Sequence, residues 1–182
     1  AVEWPLRHSA TYRRMGLTAP RGVLLIGPPG TSKTTLVRSL AAALRLPLFA
    51  ASCGDLMSSG VGESEAAVRR LFRAARDAAP CLVFLDEVDS LSEKRGIGSS
   101  QGTTATEGIL STLLIEMDGV ESADGVTVIG ATNRLSRIDE ALLRPGRFEL
   151  RLEVPYPSIS DLAEDLVKVS SAATMGRNRQ SL

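Results

Sequence analysis

Cysteine, histidine and aromatic residues are scarce here: two cysteines, one histidine and 4% Phe, Trp and Tyr among 182 residues. Cys53 and Cys81 form no metal-like cluster, and both stand near strand-like segments where a small buried hydrophobe is the usual role; a reduced intracellular protein follows. The lone His8 lies in a polar stretch and reads as a surface residue, not a ligand. Net charge is missing too. Lys and Arg number 21 and so do Asp and Glu, so the broad basic field used by nucleic-acid binders is absent, which disfavours helicases and clamp loaders. No apolar run reaches the ~18 residues of a membrane span, and the first residues lack the basic and apolar regions of a signal peptide. The expectation is a soluble, untargeted chain, cytoplasmic with the nucleus as the alternative.

What is present is a 43% hydrophobic chain with enough length for one globular core and no room for a second domain. Five strand candidates, at 22–26, 47–51, 81–85, 126–131 and 148–154, alternate with helical patterns, which predicts a parallel sheet covered on both faces. Val37, Leu40, Ala41 and Leu44 share one helical face; Val68, Leu71, Phe72 and Ala75 share another; Leu110, Leu113, Leu114 and Met117 a third. These are core faces. Residues 95–104, rich in Gly, Ser and Thr and without hydrophobic period, are expected to form a mobile loop. Beyond Pro155 the pattern fades into one modest helix near Ser160–Val169 and a polar tail from Met175 to Leu182.

The most specific motif is Gly27-Pro28-Pro29-Gly30-Thr31-Ser32-Lys33-Thr34, a phosphate-binding loop in which Ser32 replaces the second glycine of the general pattern. It follows the apolar run Gly22-Val23-Leu24-Leu25-Ile26 and precedes a helix, the context the motif requires. There successive backbone N–H groups of the loop and the helix start converge on a polyphosphate, Lys33 adds charge for the β- and γ-phosphates, and Thr34 offers a hydroxyl to Mg²⁺. A plain glycine-proline turn would need no Lys-Thr at this spacing. For Ser32, two reasons for the usual glycine compete: a positive φ, which Ser resists, or room beside the phosphates, which Ser nearly keeps. The second is the expectation, with a loop that still closes on ATP.

The run Cys81-Leu82-Val83-Phe84-Leu85 ends in Asp86-Glu87, two carboxylates at the carboxyl end of a strand, where α/β sheets bind ligands. Asp86 is expected to hold Mg²⁺, mostly through water, and Glu87 to polarise the attacking water. Alone, such a pair reads first as a solvated acidic turn; beside a phosphate loop it reads as chemistry. Val126–Ala131 leads to Thr132-Asn133-Arg134, where the Asn133 amide can donate and accept toward a γ-phosphate or the lytic water. Arg144 and Arg147 flank Pro145-Gly146 before the last strand, either as surface charges or as cations for a neighbour's γ-phosphate.

Together, Gly27–Thr34, Leu82–Glu87, Glu116-Met117-Asp118-Gly119 and the long stretch from Gly130 through Arg134 and Ile138 to Phe148 resemble the AAA family of ATPases. Glu3-Trp4-Pro5-Leu6, Arg14-Met15-Gly16-Leu17 and the non-glycine at Ser32 are most similar to its valosin-containing-protein branch, including the spermatogenesis-associated relatives. The resemblance covers about residues 2–157. It implies a P-loop NTPase fold, a five-stranded parallel sheet flanked by helices, with residues 1–157 as the large nucleotide-binding subdomain. Residues 158–182 would be a short helix and tail in place of a lid that is largely missing.

The same resemblance implies Pro29, Gly30, Thr31, Ser32, Lys33, Thr34, Thr35 and Asp86 on ATP, Thr34 and Asp86 on Mg²⁺, Glu87 as the hydrolytic base and Asn133 as the γ-phosphate sensor. Arg144 and Arg147 match the arginine fingers that act on the next subunit of a hexamer. Expected partners are copies or paralogues in that ring, with protein substrates or adaptors pulled through its pore; no nucleic acid is expected. The stretch Leu56–Glu65 resembles the pore loop, with Gly60 where the family usually has a gripping aromatic. The alternative is a nucleotide-binding structural subunit of such a ring that hydrolyses ATP slowly or never.

Overall fold

The computed structural model describes residues 11, 14–16, 20–58, 62–92, 100–120, 125–158 and 161. Five strands, β1 (Gly22–Ile26), β2 (Leu48–Ser52), β3 (Cys81–Asp86), β4 (Val126–Thr132) and β5 (Leu150–Glu153), form one sheet in the order β2-β3-β4-β1-β5. Every pairing is parallel, so each crossover must carry the chain back across a face. The helices described from end to end are α1 (Lys33–Leu44), α2 (Cys53–Ser58), α3 (Glu63–Asp77) and α4 (Ser100–Gly119), with 3-10 turns at Val88–Ser92, Leu135–Arg137 and Glu140–Leu143.

Side-chain alternation sends the strands' apolar residues to two cores. Val23, Leu25, Leu82, Phe84 and Ile129 pack with Val37 and Ala41 of α1 on one face. Leu24, Val83, Leu85 and Val128 pack with Val68, Phe72 and Ala75 of α3 and Leu113 and Met117 of α4 on the other. The two-sided coverage and the three helical faces thus match the reading of the sequence. Leu40, Leu71, Leu110 and Leu114 lie at the core margins, only partly buried.

Two boundaries differ. Of the expected 95–104 loop, residues 95–99 lie outside the described residues and the rest is helical from Ser100 onward, because α4 extends one long helix back from its packed Ile109–Met117 portion through residues of poor helix propensity. The last strand is shorter than its apolar pattern: Phe148 is fully buried but belongs to the turn before β5, where its ring packs on the backbone of Gly130. His8, Gly60, the helix expected at 160–169 apart from Asp161, and the tail lie outside the described residues. Ser158 and Asp161 exchange bonds, Ser158 N–H to Asp161 Oδ2 at 3.0 Å and Asp161 N–H to Ser158 Oγ at 3.2 Å, in the manner of a helix-starting capping box. Register aligns Ile26 with Thr132 and Leu85 with Gly130, so β1, β3 and β4 end together at one sheet edge.

Candidate functional site

At that edge the loop after β1 turns into α1. Lys33, the first residue of α1, is buried. Its ammonium donates to Gly27 O at 2.7 Å, Pro28 O at 2.9 Å and Asn133 Oδ1 at 2.8 Å. Burial pushes its pKa below the ordinary lysine value, while Asp86 and then Asp89 pull it back up. Neutral carbonyl dipoles therefore hold a partly desolvated cation, the arrangement that an anionic phosphate would improve. Thr31 Oγ1 donates to Pro28 O at 3.0 Å and closes the loop on itself. Pro29, Gly30, Ser32 and Thr35 lie on the exposed side of the turn, with Gly30 at φ 84°.

Ser32 occupies the left-handed region, φ 59° and ψ 29°, without a side-chain cap bond. The expectation that room, not backbone conformation, explains the usual glycine is therefore corrected. An L-residue there costs roughly 1–2 kcal/mol because Cβ crowds the following carbonyl.

Across 52 residues of sequence, Thr34 Oγ1 donates to Asp86 Oδ2 at 2.6 Å. The other Asp86 oxygen accepts from Glu87 N–H at 3.0 Å, which leaves the carboxylate fixed at both ends. Glu87 is exposed and also left-handed, φ 55°. Its carboxylate lies over Gly54 at the start of α2, where an added Cβ would come within 3.1 Å of Oε2. Asn133 follows β4 directly and is joined to Lys33. Lys33, Thr34, Asp86, Glu87 and Asn133 thus stand together around one edge.

Sequence reasoning passed over three neighbours of this cluster. Asp89, Ser90 and Arg137 line a cavity of about 260 Å³ with Glu87 and Asn133. Asp89 Oδ1 accepts from Thr132 Oγ1 at 2.8 Å, which in turn accepts from Arg134 N–H at 2.9 Å. The signal was Asp89 itself, one 3-10 turn beyond Asp86. Ser90 Oγ is buried without a partner among the described residues.

The two arginines of the 144–147 turn make no side-chain bond to this cluster among the described residues, and they differ from each other in their contacts. Arg144 is exposed, with no side-chain bond among the described residues. Arg147 donates through Nε and Nη2 to the two oxygens of Asp118, both at 2.8 Å, and through Nη1 to Ala141 O at 2.7 Å. The guanidinium holds the Asp118 carboxyl below the usual carboxylate range.

Among the described residues no cluster of three His, Cys, Asp or Glu side chains is arranged for a metal. Mg²⁺ needs no such cage. One carboxylate and one hydroxyl beside a phosphate, completed by waters, match its usual demand, and the Thr34–Asp86 contact supplies those two oxygens. The Cys53 thiol, buried beside Asp86, Glu87 and Asp89, is pushed up to about 12 by desolvation and then by those carboxylates, so it stays a protonated core group.

Comparison with known proteins follows the same lines. The family model described as "ATPase family associated with various cellular activities (AAA)" matches residues 23–156. The cell division control protein 48 homolog B of Arabidopsis thaliana is 49% identical over 177 residues, 97% of this chain and 29% of that protein. An ATP-dependent zinc metalloprotease FtsH 1 of Symbiobacterium thermophilum is 50% identical over 152 residues, 84% of this chain and 26% of its own length. The human ATPase family gene 2 protein homolog A is 48% identical over 164 residues, 90% of this chain and 18% of its own. The chain therefore spans less than a third of each of these relatives.

Proposed function

Because the chain belongs to the AAA family of ATPases, we propose that it binds Mg²⁺-ATP at the carboxyl edge of its sheet and hydrolyses it between subunits of a hexameric ring that remodels proteins. Residues 1–157 would be the nucleotide-binding core. Partners would be copies or paralogues of the chain and the protein substrates or adaptors they act on; the setting would be cytoplasmic. Among the described residues no helix is long and apolar enough to cross a membrane.

In this reading the loop amides from Gly30 to Thr35 cradle the phosphates, and Lys33 exchanges its carbonyl partners for the β- and γ-phosphate oxygens. Thr34 and Asp86 would hold Mg²⁺, which when bound neutralises charge on the transferring phosphate. Glu87 accepts a proton from the attacking water, and Asn133, held by Lys33, directs its free amide toward that water or the γ-phosphate. The exposed turn bearing Arg144 supplies positive charge to the neighbour's site.

The observation that carries the reading is the 2.6 Å Thr34–Asp86 bond, which joins phosphate loop and acidic strand end. Phosphate release from the chain and from Glu87→Gln, measured over rising protein concentration, is the test. The wild type should turn over with a rate per subunit that climbs with concentration, and the variant should lose about 10²-fold or more. Equal release at every concentration would reject hydrolysis.

The left-handed Ser32 favours a second reading, a subunit that binds ATP for structure and turns it over slowly. ATP binding without release above Glu87→Gln would select it.

A further inference from the structure

We infer that Arg147 acts within its own subunit as a positioning residue pinned by Asp118, and that Arg144 alone is the cation this turn offers to a neighbouring copy's nucleotide. The inference rests on the proposed action between subunits and assigns the two arginines different parts in it.

The geometry of Arg147 is that of a brace. A planar guanidinium meets a carboxylate edge to edge, two bonds at 2.8 Å, and its remaining terminal nitrogen holds the Ala141 carbonyl at 2.7 Å. Its side chain is only 16% exposed. Reaching a phosphate on another molecule would require giving up all three bonds and leaving the Ala141 carbonyl without this donor. Asp118 also stands one residue from the end of α4, where a carboxylate faces the negative end of the helix dipole; a cation against it offsets that repulsion. The pair therefore ties the end of α4 to the turn before β5.

The brace reaches Arg144 through the backbone. Arg147 N–H donates to Arg144 O at 3.1 Å, Phe148 N–H to Leu142 O at 3.0 Å, and the Phe148 ring is fully buried. Glu149 adds bonds to Gly146 N–H at 3.3 Å and Arg21 N–H at 3.1 Å. Each of these anchors holds the turn, while the exposed Arg144 side chain has no partner among the described residues. A fixed backbone carrying one free guanidinium is pre-organised to act on a second molecule.

The test compares Arg144→Ala, Arg147→Ala, Asp118→Ala, the double alanine variant and the exchange Asp118→Arg/Arg147→Asp in the full chain, by kcat, KM for ATP and thermal melting. Arg144→Ala should lower kcat about 10³-fold or more with little change in KM. Asp118→Ala and Arg147→Ala should each lower kcat by a similar factor of about three to ten, and the double variant should be no worse than either, as expected for residues acting as one unit. The exchanged pair should recover part of the loss, which a carboxylate placed against a phosphate could not do. A drop of about 10³-fold in Arg147→Ala with Asp118→Ala near wild type would overturn the inference, as would additive losses. If the exchanged pair does not fold, the alanine series decides alone. A wild type without turnover rejects the proposed function; the melting shifts then judge the brace, and additive shifts reject it.

Discussion

Ser32 shows what one residue can and cannot disclose. Its place in the loop motif is legible from spacing alone, as are Lys33 and Thr34, whereas Asp86 and Glu87 become legible only because that motif stands in the same chain. Its φ of 59° is not legible, since serine is a residue that normally avoids that conformation. Ser32→Gly should relieve the Cβ crowding but increase the freedom of the unfolded chain, for a net gain of about 0.5–1 kcal/mol in denaturant midpoint analysis. Ser32→Ala keeps the Cβ and should gain nothing. If both variants melt alike, backbone strain at this position is negligible. Cys53 gives a second check. Its thiol stays protonated in the fold up to about pH 12, whereas an exposed thiol ionises near 8.5. The stability due to that difference is whole below about pH 8.5 and declines as pH rises above it. Cys53→Ala should flatten the alkaline limb of a stability-against-pH curve; an unchanged limb would count against a buried neutral thiol.

Elements were readable where a face repeats. Val68, Phe72 and Ala75 on α3, and Leu113 and Met117 on α4, declare helices through their period, and five apolar runs declare the strands. The start of α4 escaped because Ser100–Thr104 carries no period; its helical state is inherited from the packed turns that follow. The Asp118–Arg147 pair escaped for another reason, namely that 29 residues and a sheet crossover separate its members. Strand β4 and the turn before β5 meet at Gly130, whose missing side chain is occupied by the Phe148 ring; an added Cβ would lie 2.7 Å from it. Gly130→Ala should therefore destabilise by about 1–3 kcal/mol through overpacking. The cost should be smaller in Phe148→Leu/Gly130→Ala than the two single losses combined. Strict additivity would mean that the contact does not govern this junction.

At the scale of the whole molecule, the proposed function assigns binding and turnover to different residues, and the separation can be measured. Ligand that binds only the folded state stabilises it in proportion to the logarithm of its concentration, about 2.7 kcal/mol at a hundredfold excess over Kd. Mg²⁺-ATP should raise the melting temperature of the wild type and of Glu87→Gln, and should fail to do so for Lys33→Ala, which loses the cation buried among Gly27 O, Pro28 O and Asn133 Oδ1. Turnover in the proposed function needs more, since Arg144 is there the cation offered to another copy's nucleotide. Arg144→Ala subunits keep an intact pocket but offer no cation; Lys33→Ala subunits offer the cation but cannot hold the nucleotide. Neither preparation should release phosphate alone. Mixed, they should recover a fraction of wild-type activity, because some interfaces then join an intact pocket to an intact Arg144. The fraction should peak near equal proportions and fall toward either pure variant. Mixed assemblies, verified by labelled subunits, that stay inactive at every ratio would place the missing positive charge elsewhere.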